Sequence, residues 1–401
     1  MLHVHFGAGR LGLGLVAPFF RTPSSELYIL NRAVSGSKAT GQTDLDPARR
    51  NELLSDNPEK FYVIEPPGGQ GDQRQVVHYD GFFAYDEDTL DDIVGTILEG
   101  SRTKQDGIVV TASLLTAENY RPVLRLLHLA AERDKVGPLF LVACENTLSA
   151  AEVLEEDALC EAVSDQVREH VTCVHALVDR VCVGLEEDTT GEIPAVLVRA
   201  EEYGSLKLEL RDETEALRQG LEGSQVEFTR HVHTEKQIKN WLLNGSHWLI
   251  ALAAFNDSKG DPTLKLNEYL NASPEHREFA AKLMSEMSEG VATILRSEPR
   301  YADFVKEVDP EQYLRGASRA ILERFLQNED PISRILARFQ APSAEAPGSI
   351  ETFSKRLADR VDEPILAYQE KTGAPPAAAT QSVQSLLRLL ASGTFIDGQN
   401  G

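Results

Sequence analysis

Residues 2–12 read Leu2-His3-Val4-His5-Phe6-Gly7-Ala8-Gly9-Arg10-Leu11-Gly12. An alternating apolar run ends in a Gly-x-Gly-x-x-Gly loop, and the residues after it open a helix-like segment. Each glycine answers a separate physical demand. The first permits a tight turn, the second lets backbone approach a pyrophosphate, and the third lets helix and strand pack closely, with the helix N-terminus facing the anion. A glycine-rich turn alone is common, but directly after a first strand it points to nucleotide binding. The plain alternative is a close-packed strand–helix turn without a ligand. Pro18 is expected to shorten or kink the helix that follows.

Working outward, short β-branched runs alternate with helix-like segments, the pattern of a parallel sheet with crossover helices. After Leu2–Phe6 the runs are Leu27–Leu30, Gly107–Thr111 and Leu139–Ala143, with helical patterns at Ala117–Arg133 and after Thr147. Ala39 to Gln75 is polar and rich in Pro, Gly and Asp, and reads as an excursion from the core fold. Two further β-like stretches, Val171–Val183 and Ala195–Leu210, close this half. From about Asp212 the texture turns helical, with candidate helices Thr234–Asn256, His276–Ser297, Pro310–Leu326, Ile350–Lys371 and Thr380–Ala391. The expectation is an α/β nucleotide domain over residues 1–211, then a mostly α-helical domain over 212–401.

Composition bounds the function. A chain of 401 residues is too long for one ordinary core, so two domains of about 200 residues are the default. Hydrophobic content of 42% and charged content of 26% are those of a globular protein. There is no export-type N-terminus and no apolar run near the ~18 residues of a membrane span. Cys144, Cys160, Cys173 and Cys182 lack CxxC spacing or a paired His pattern, which argues against structural zinc and fits a reducing, cytoplasmic setting. A net charge of −23 disfavours nucleic acid or an anionic membrane as partner. A phosphorylated ligand would then require a local cluster of Lys and Arg.

The second strand of a dinucleotide fold normally ends in Asp or Glu, which takes the ribose hydroxyls of NAD. Here Asn31-Arg32 stands there. Loss of the carboxylate and gain of a guanidinium both favour a 2′-phosphate, so NADP is preferred over NAD. The alternative leaves Arg32 solvated and Asn31 on a ribose.

Lys239, Asn244 and His247 sit in a stretch that is otherwise apolar: Ile238, Trp241, Leu242, Leu243, Trp248, Leu249, Ile250. Burying an ammonium, an amide and an imidazole is costly unless they have partners or a job. Thr234-x-x-Gln237 is a capping-box pattern, which places a helix start there. At about 100° per residue the three fall near 0°, 140° and 80°, within one broad arc. A lysine desolvated by such neighbours has its neutral form favoured and can act as a general base, with Asn244 bonding the reacting oxygen and His247 orienting the substrate. No metal is needed in this scheme. The bland alternative is a snorkelling lysine, an asparagine on backbone and a core histidine.

His5 to Gly12, Ala143-Cys144-Glu145-Asn146, Val178-Asp179-Arg180 and Lys239-x4-Asn244-x2-His247 occur in that order. Together they resemble the polyol-specific long-chain dehydrogenases, the family of mannitol-1-phosphate 5-dehydrogenase, mannitol 2-dehydrogenase and the hexuronate reductases. The resemblance implies a Rossmann-like domain followed by a helical one, with a metal-independent active site in the cleft between them. It implies Lys239 as general acid/base, Asn244 and Asn146 as the cradle of the reacting oxygen, and His247 as substrate ligand. Cofactor residues would be Gly7, Gly9, Arg10, Leu11 and Gly12, then Asn31 and Arg32. Thr111, Glu145, Asn146, Val178 and Asp179 would line the nicotinamide side, with Asp179 also near the substrate.

The chain length resembles the mannitol-1-phosphate branch, which has a late basic stretch. Arg324-Phe325, Arg334, Arg338, Lys355-Arg356 and Asp359-Arg360 look like a diverged version. Arg334, Arg338 and Arg360 would hold a sugar phosphate, unless such arginines pair with Asp330, Glu351 and Asp362. The departures are Asn328-Glu329-Asp330-Pro331 in place of an Asn-Pro directly after Arg-Phe, Arg10 in place of Asn or a small residue, and the missing acid on the second strand. The expected reaction is an NAD(P)-dependent exchange between a hexitol phosphate and a ketose phosphate, of the mannitol 1-phosphate and fructose 6-phosphate type. Free mannitol or a hexuronate is the nearest alternative. A nucleotide-sensing protein without catalysis is the alternative of another class, and oligomeric state stays open.

Overall fold

The structure, a computed structural model, describes residues 1–33, 45–67, 73–114, 116–133, 136–145, 150–155, 159, 164–261, 263–327, 329–337 and 357–392. The chain divides into two compact units, Met1–His233 and Thr234–Gly401. The break falls beyond residue 211 because a last strand of the first unit, residues 227–229, pairs with an earlier one.

Among the described residues the first unit carries thirteen strands. They are β1 (Leu2–Phe6), β2 (Glu26–Arg32), β3 (Phe61–Glu65), β4 (Gln75–His78), β5 (Gly81–Tyr85), β6 (Ile108–Ala112) and β7 (Leu139–Ala143), then β8 (Val171–Val174), β9 (Ala176–Asp179), β10 (Cys182–Asp188), β11 (Ala195–Ala200), β12 (Ser205–Glu209) and β13 (Glu227–Thr229). Six form a parallel sheet in the order β5-β2-β1-β6-β7-β8. Its central strands are buried on both faces; β6 and β7 read accordingly as near-continuous apolar runs, whereas β1 alternates apolar residues with the buried His3 and His5. Leu2, Val4 and Phe6 pack toward the helices Leu90–Gly100 and Arg121–Ala131. The opposite face of β1 presents His3 and His5, both buried, to the core.

The stretch between Ala39 and Gln75 is more than an excursion. Its described part holds a helix, Pro47–Ser55, and strand β3, and β4 follows directly. These strands join β10 and β11 in a second sheet, β10-β11-β3-β4. The β-like stretch at Val171–Val183 divides among three sheets, because β8 completes the parallel sheet, β10 enters the second, and β9 joins β13-β12-β9.

The second unit is helical. A helix over residues 232–257 is followed by Leu266–Ala272, Pro274–Ser297, Pro310–Gln327, a helix over residues 357–372, and Ala377–Ser392. Their apolar faces share one core, from Trp241 and Trp248 to Met284, Met287, Val291 and Val361. Buried Glu286 accepts from the backbone N–H groups of Ala378 (2.9 Å) and Ala379 (3.1 Å), satisfying donors that a helix start leaves open. Among the described residues no helix is long and apolar enough to cross a membrane. Cys144, Cys173 and Cys182 form no disulfide, and Cys160 lies outside the described residues.

Candidate active site

The glycine loop meets its three demands at three different positions. Gly7 adopts φ +106°, and its N–H donates to Leu30 O at 2.9 Å, so the chain turns back sharply off β1. A Cβ on Gly12 would overlap Gly7 O and His5 Nε2, so here only glycine lets helix and strand touch. Nothing lies within 4 Å of a Cβ built on Gly9. Packing inside the protein therefore does not explain that glycine, whereas backbone approach to a ligand does.

Beneath the loop runs a chain of polar groups with a fixed direction. His5 Nε2 donates to Gly7 O at 3.0 Å, which leaves His5 Nδ1 an acceptor. The Thr111 hydroxyl, 2.8 Å away, therefore donates to it, and accepts in turn from His3 Nε2 at 2.7 Å. Burial pushes the His5 imidazole down to about 4, partly offset by its bond to Gly7. His3 is held well below the usual imidazole range by burial, then by the charges of His5 and Arg21. Both rings are thus neutral, as this chain of bonds requires. Sequence reasoning missed their role, although His5 stood in the motif itself.

This corrects the placement of Thr111. The residue is fully buried and its hydroxyl is used on the two histidines, so it braces the loop instead of lining a cofactor surface. The residue at the strand end is Ser113, whose buried Oγ has no hydrogen-bond partner and stands close under Gly12. Asn31 is also a brace, because its Oδ1 accepts from Ala8 N at 3.0 Å and its Nδ2 donates to Asn51 Oδ1 at 2.8 Å. Arg32 is exposed at the C-terminal end of β2. Glu145 is buried and accepts from Leu114 N and, at 3.4 Å, from Tyr120 OH, so its carboxylate holds the loop after β6. Asn146 lies outside the described residues.

The helix after the loop runs from Arg10 to Phe20, with Arg10 and Leu11 half-buried in its first turn and a π-helical stretch at Gly12–Val16. Pro18 neither shortens nor breaks it. Ala17 N reaches back to Gly12 O, and Pro18 has no N–H to give, so Leu13 O and Gly14 O lose their helical donors. Tyr62 OH caps the first at 2.9 Å and Arg180 Nη1 the second at 2.6 Å. Arg180 also donates to Glu201 O at 2.8 Å, and burial lowers its pKa. The Val178-Asp179-Arg180 segment is therefore in large part a support. Val178 is buried in the core under this helix, while Asp179 is half-buried at the end of β9.

An open position at Gly9, glycine-tight packing at Gly12, the first turn of an eleven-residue helix and an orphaned Ser113 hydroxyl together suit a dinucleotide pyrophosphate.

The helix that leads into the second unit starts at Val232, so Thr234 lies inside it and caps nothing at its start. Lys239 to Gly245 is π-helical, and Ser246–Asp257 continues as α-helix. A uniform 100° step is therefore wrong here. Bonding from i to i+5 turns the chain less per residue, which draws Lys239, Asn244 and His247 toward one line. Lys239 and Asn244 are half-buried, and Asn244 Nδ2 lies 3.3 Å from Asn240 Oδ1. His247 is buried, its ring stacked on Phe325 at 4.7 Å, with Nε2 3.7 Å from Asp330 Oδ2.

The basic cluster is only partly assembled. Arg334 closes its fork on buried Asp330, at 2.7 and 3.2 Å, and so supports His247 through that carboxylate. Arg338, Lys355 and Arg356 lie outside the described residues. Arg360 sits in a second π-helical stretch, Ala358–Asp362, and its carbonyl packs against Gly245, where any Cβ would overlap it.

No protein-family model matches the chain, and no curated protein matches it in sequence. Solved structures do match. A Pseudomonas fluorescens mannitol 2-dehydrogenase in ternary complex with NAD and D-mannitol aligns with TM-score 0.56 and 14% identity, over 96% of this chain and 94% of that one. A D-sorbitol dehydrogenase in substrate-free form aligns with TM-score 0.52 and 13% identity, over 100% of this chain and 94% of that one. At such identity the likeness establishes the fold, a Rossmann-like α/β part followed by a helical part.

Proposed function

We propose that the chain is a nicotinamide-dependent oxidoreductase that interconverts a polyol, or its phosphate ester, with the corresponding ketose. The observation that carries this is the π-helical stretch Lys239–Gly245, which gathers a lysine and an asparagine, with a histidine just beyond, in an apolar core. π-Turns inside α-helices recur at functional sites, and no proline in or near this stretch accounts for it. The two structural neighbours, one bound to NAD and D-mannitol, favour a polyol over other alcohols.

When bound at the glycine loop, the nicotinamide supplies the hydride acceptor or donor. Lys239 Nζ takes the hydroxyl proton as the alcohol is oxidised and returns it as the ketone is reduced. The Asn244 amide donates to the same oxygen and holds it toward Lys239. His247, fixed between Phe325 and Asp330, binds a neighbouring substrate hydroxyl. Proton transfer through Lys239 replaces a Lewis acid, so turnover persists in chelating buffer. Asn31 carries no charge to repel a 2′-phosphate, and the exposed Arg32 favours NADP over NAD.

A phosphorylated substrate is the second reading, of the mannitol 1-phosphate and fructose 6-phosphate type. Of the arginines expected to hold the phosphate, Arg334 is committed to Asp330, which counts against this reading, and Arg360 is placed next to Gly245 by its carbonyl. Initial rates with fructose and with fructose 6-phosphate, each with NADPH and NADH in chelating buffer, decide among these. Oxidation of NADPH with the phosphate alone supports the second reading, and free fructose alone supports the plain polyol. Inactivity in all four mixtures would sink both.

A further inference from the structure

Three side chains outside the elements used so far converge at the third sheet. His175 immediately precedes β9, Glu209 ends β12, and His233 is the last residue of the first unit. Backbone pairing fixes two of them, because Glu209 N donates to His175 O at 3.0 Å. His233 joins them from the first turn of the Lys239 helix. Its ring meets that of His175 at 4.2 Å between centroids, and its Nε2 stands 3.9 Å from Glu209 Oε1. One ligand atom from each residue lies within 4.8 Å of the others. The second carboxylate oxygen, Glu209 Oε2, is buried and accepts no hydrogen bond, with Arg211 Nη1 3.6 Å away.

We propose that His175, Glu209 and His233 bind a divalent transition-metal ion of the zinc class, with water in the fourth position. Two imidazoles and one carboxylate suit zinc, copper or nickel and are a poor set for calcium or magnesium, which take oxygen ligands. Ligands at about 2.0–2.1 Å around a tetrahedral ion stand about 3.3 Å apart, so the set must close by up to about 1.5 Å. His233, whose side chain is 63% exposed, has room to swing inward onto the more rigid pair. The ion also adds a close partner to a carboxylate whose Oε2 accepts no hydrogen bond and whose Arg211 neighbour stands 3.6 Å away. Bound, it ties the first turn of the helix that carries Lys239 to strands β9 and β12. This role is separate from proton transfer and holds whatever the chain's substrate is.

The test uses the tag-free full-length chain, stripped with chelator and titrated with Co2+ and then Zn2+. One equivalent of Co2+ should bind with the intense visible absorption of four- or five-coordinate cobalt, and Zn2+ should displace it. Zn2+ should raise the melting temperature by mass action. His233→Ala, a change at an exposed side chain, should weaken binding about 100-fold and remove the melting shift, and Glu209→Gln about tenfold. His170→Ala, at a distant exposed histidine, should bind as the parent does. Parent-like affinity in His233→Ala and in a folded His175→Ala would overturn the proposal. So would a pale six-coordinate spectrum, or no uptake below millimolar Co2+. Because the readouts are binding and melting, a failure of the proposed reaction leaves this result untouched.

Discussion

The helix after the glycine loop and the helix of Lys239 both leave α-geometry, at Gly12–Val16 and at Lys239–Gly245, and for different reasons. In the first, Pro18 follows the π-stretch by two residues, and Tyr62 and Arg180 take up the carbonyls that the distortion orphans. The stretch Ala358–Asp362 obeys the same rule, with Pro364 two residues beyond it. The Lys239 stretch has no such proline. Packing holds it instead, with Gly245 admitting the Arg360 carbonyl. A distortion written in the covalent chain serves the scaffold. One maintained by packing around a lysine and an asparagine is where a functional constraint is expected.

The largest expected effect tests the second region. Lys239→Ala should lower kcat about 10³-fold, the range of a lost general acid/base, while cofactor affinity and melting temperature stay at parent values. Steady-state rates beside a cofactor titration check this. If turnover survives, the Lys239 stretch is only scaffold and the contrast collapses.

The first region should behave in the opposite way, with stability and binding separable by position. Gly12→Ala drives a methyl into Gly7 O and His5, and should destabilise the fold by about 3 kcal/mol in urea unfolding. Gly9→Ala meets nothing within 4 Å, so its stability should change by less than about 1 kcal/mol. Its cofactor affinity should nevertheless fall about tenfold, or ~1.4 kcal/mol. A Gly9→Ala protein that binds cofactor normally would mean the loop is a packing turn without a ligand.

Acid should loosen the scaffold through His5 and His3. The folded-state His5 sits at about 4 against an ordinary 6.5, so the unfolded chain binds the extra proton between those values. Stability is complete above pH 6.5 and falls by about 3 kcal/mol as the pH drops toward 4, with His3 shifting the same way. Carboxyls held low, such as Glu215 at about 2 against an ordinary 4.5, begin to cost stability only below about pH 5, so the part of the fall between pH 6.5 and 5 belongs to the imidazoles. Urea midpoints at pH 7 and 4.5 measure the fall. Thr111→Val strips both imidazoles of a partner and should cost about 2 kcal/mol already at pH 7. A flat profile across the window would mean that neither ring is held neutral.

These contrasts also explain what could be read in the sequence. Leu139–Ala143 was readable to the residue because a strand buried on both faces is an apolar run, and Leu2–Phe6 because its alternation ends at the glycine loop. The edge strand Gly81–Tyr85 was missed because Gly-Phe-Phe-Ala-Tyr neither alternates nor contains a β-branched residue. The division of residues 171–188 among three sheets was unreadable, since local sequence does not name a strand's partner. Lys239, Asn244 and His247 stood out as polar residues in an apolar helix, yet nothing local announced the π-turn that groups them. Asn31, Thr111 and Glu145 were read as cofactor residues, and the hydrogen bonds by which each braces the loop region could not be read from spacing. His175 and Glu209 meet through strand pairing and His233 joins them from a helix, so no spacing rule would collect the three.

The last contrast is between the two caps, and its decisive reading is a small difference. Arg180→Met leaves Gly14 O and Glu201 O without their charged donor and should cost about 3 kcal/mol. Tyr62→Phe removes one neutral donor from Leu13 O and should cost about 1 kcal/mol. The double variant is the more informative. With both caps gone, the π-turn loses its advantage over an α-turn, in which Ala17 N would satisfy Leu13 O unaided. The helix can then relax and recover one bond, so the pair should cost less than the sum of the singles. Strict additivity would mean that the turn stays π-helical without its caps. Its cause would then be the Pro18 ring alone, since the ring clashes with Gly14 O in any α-turn.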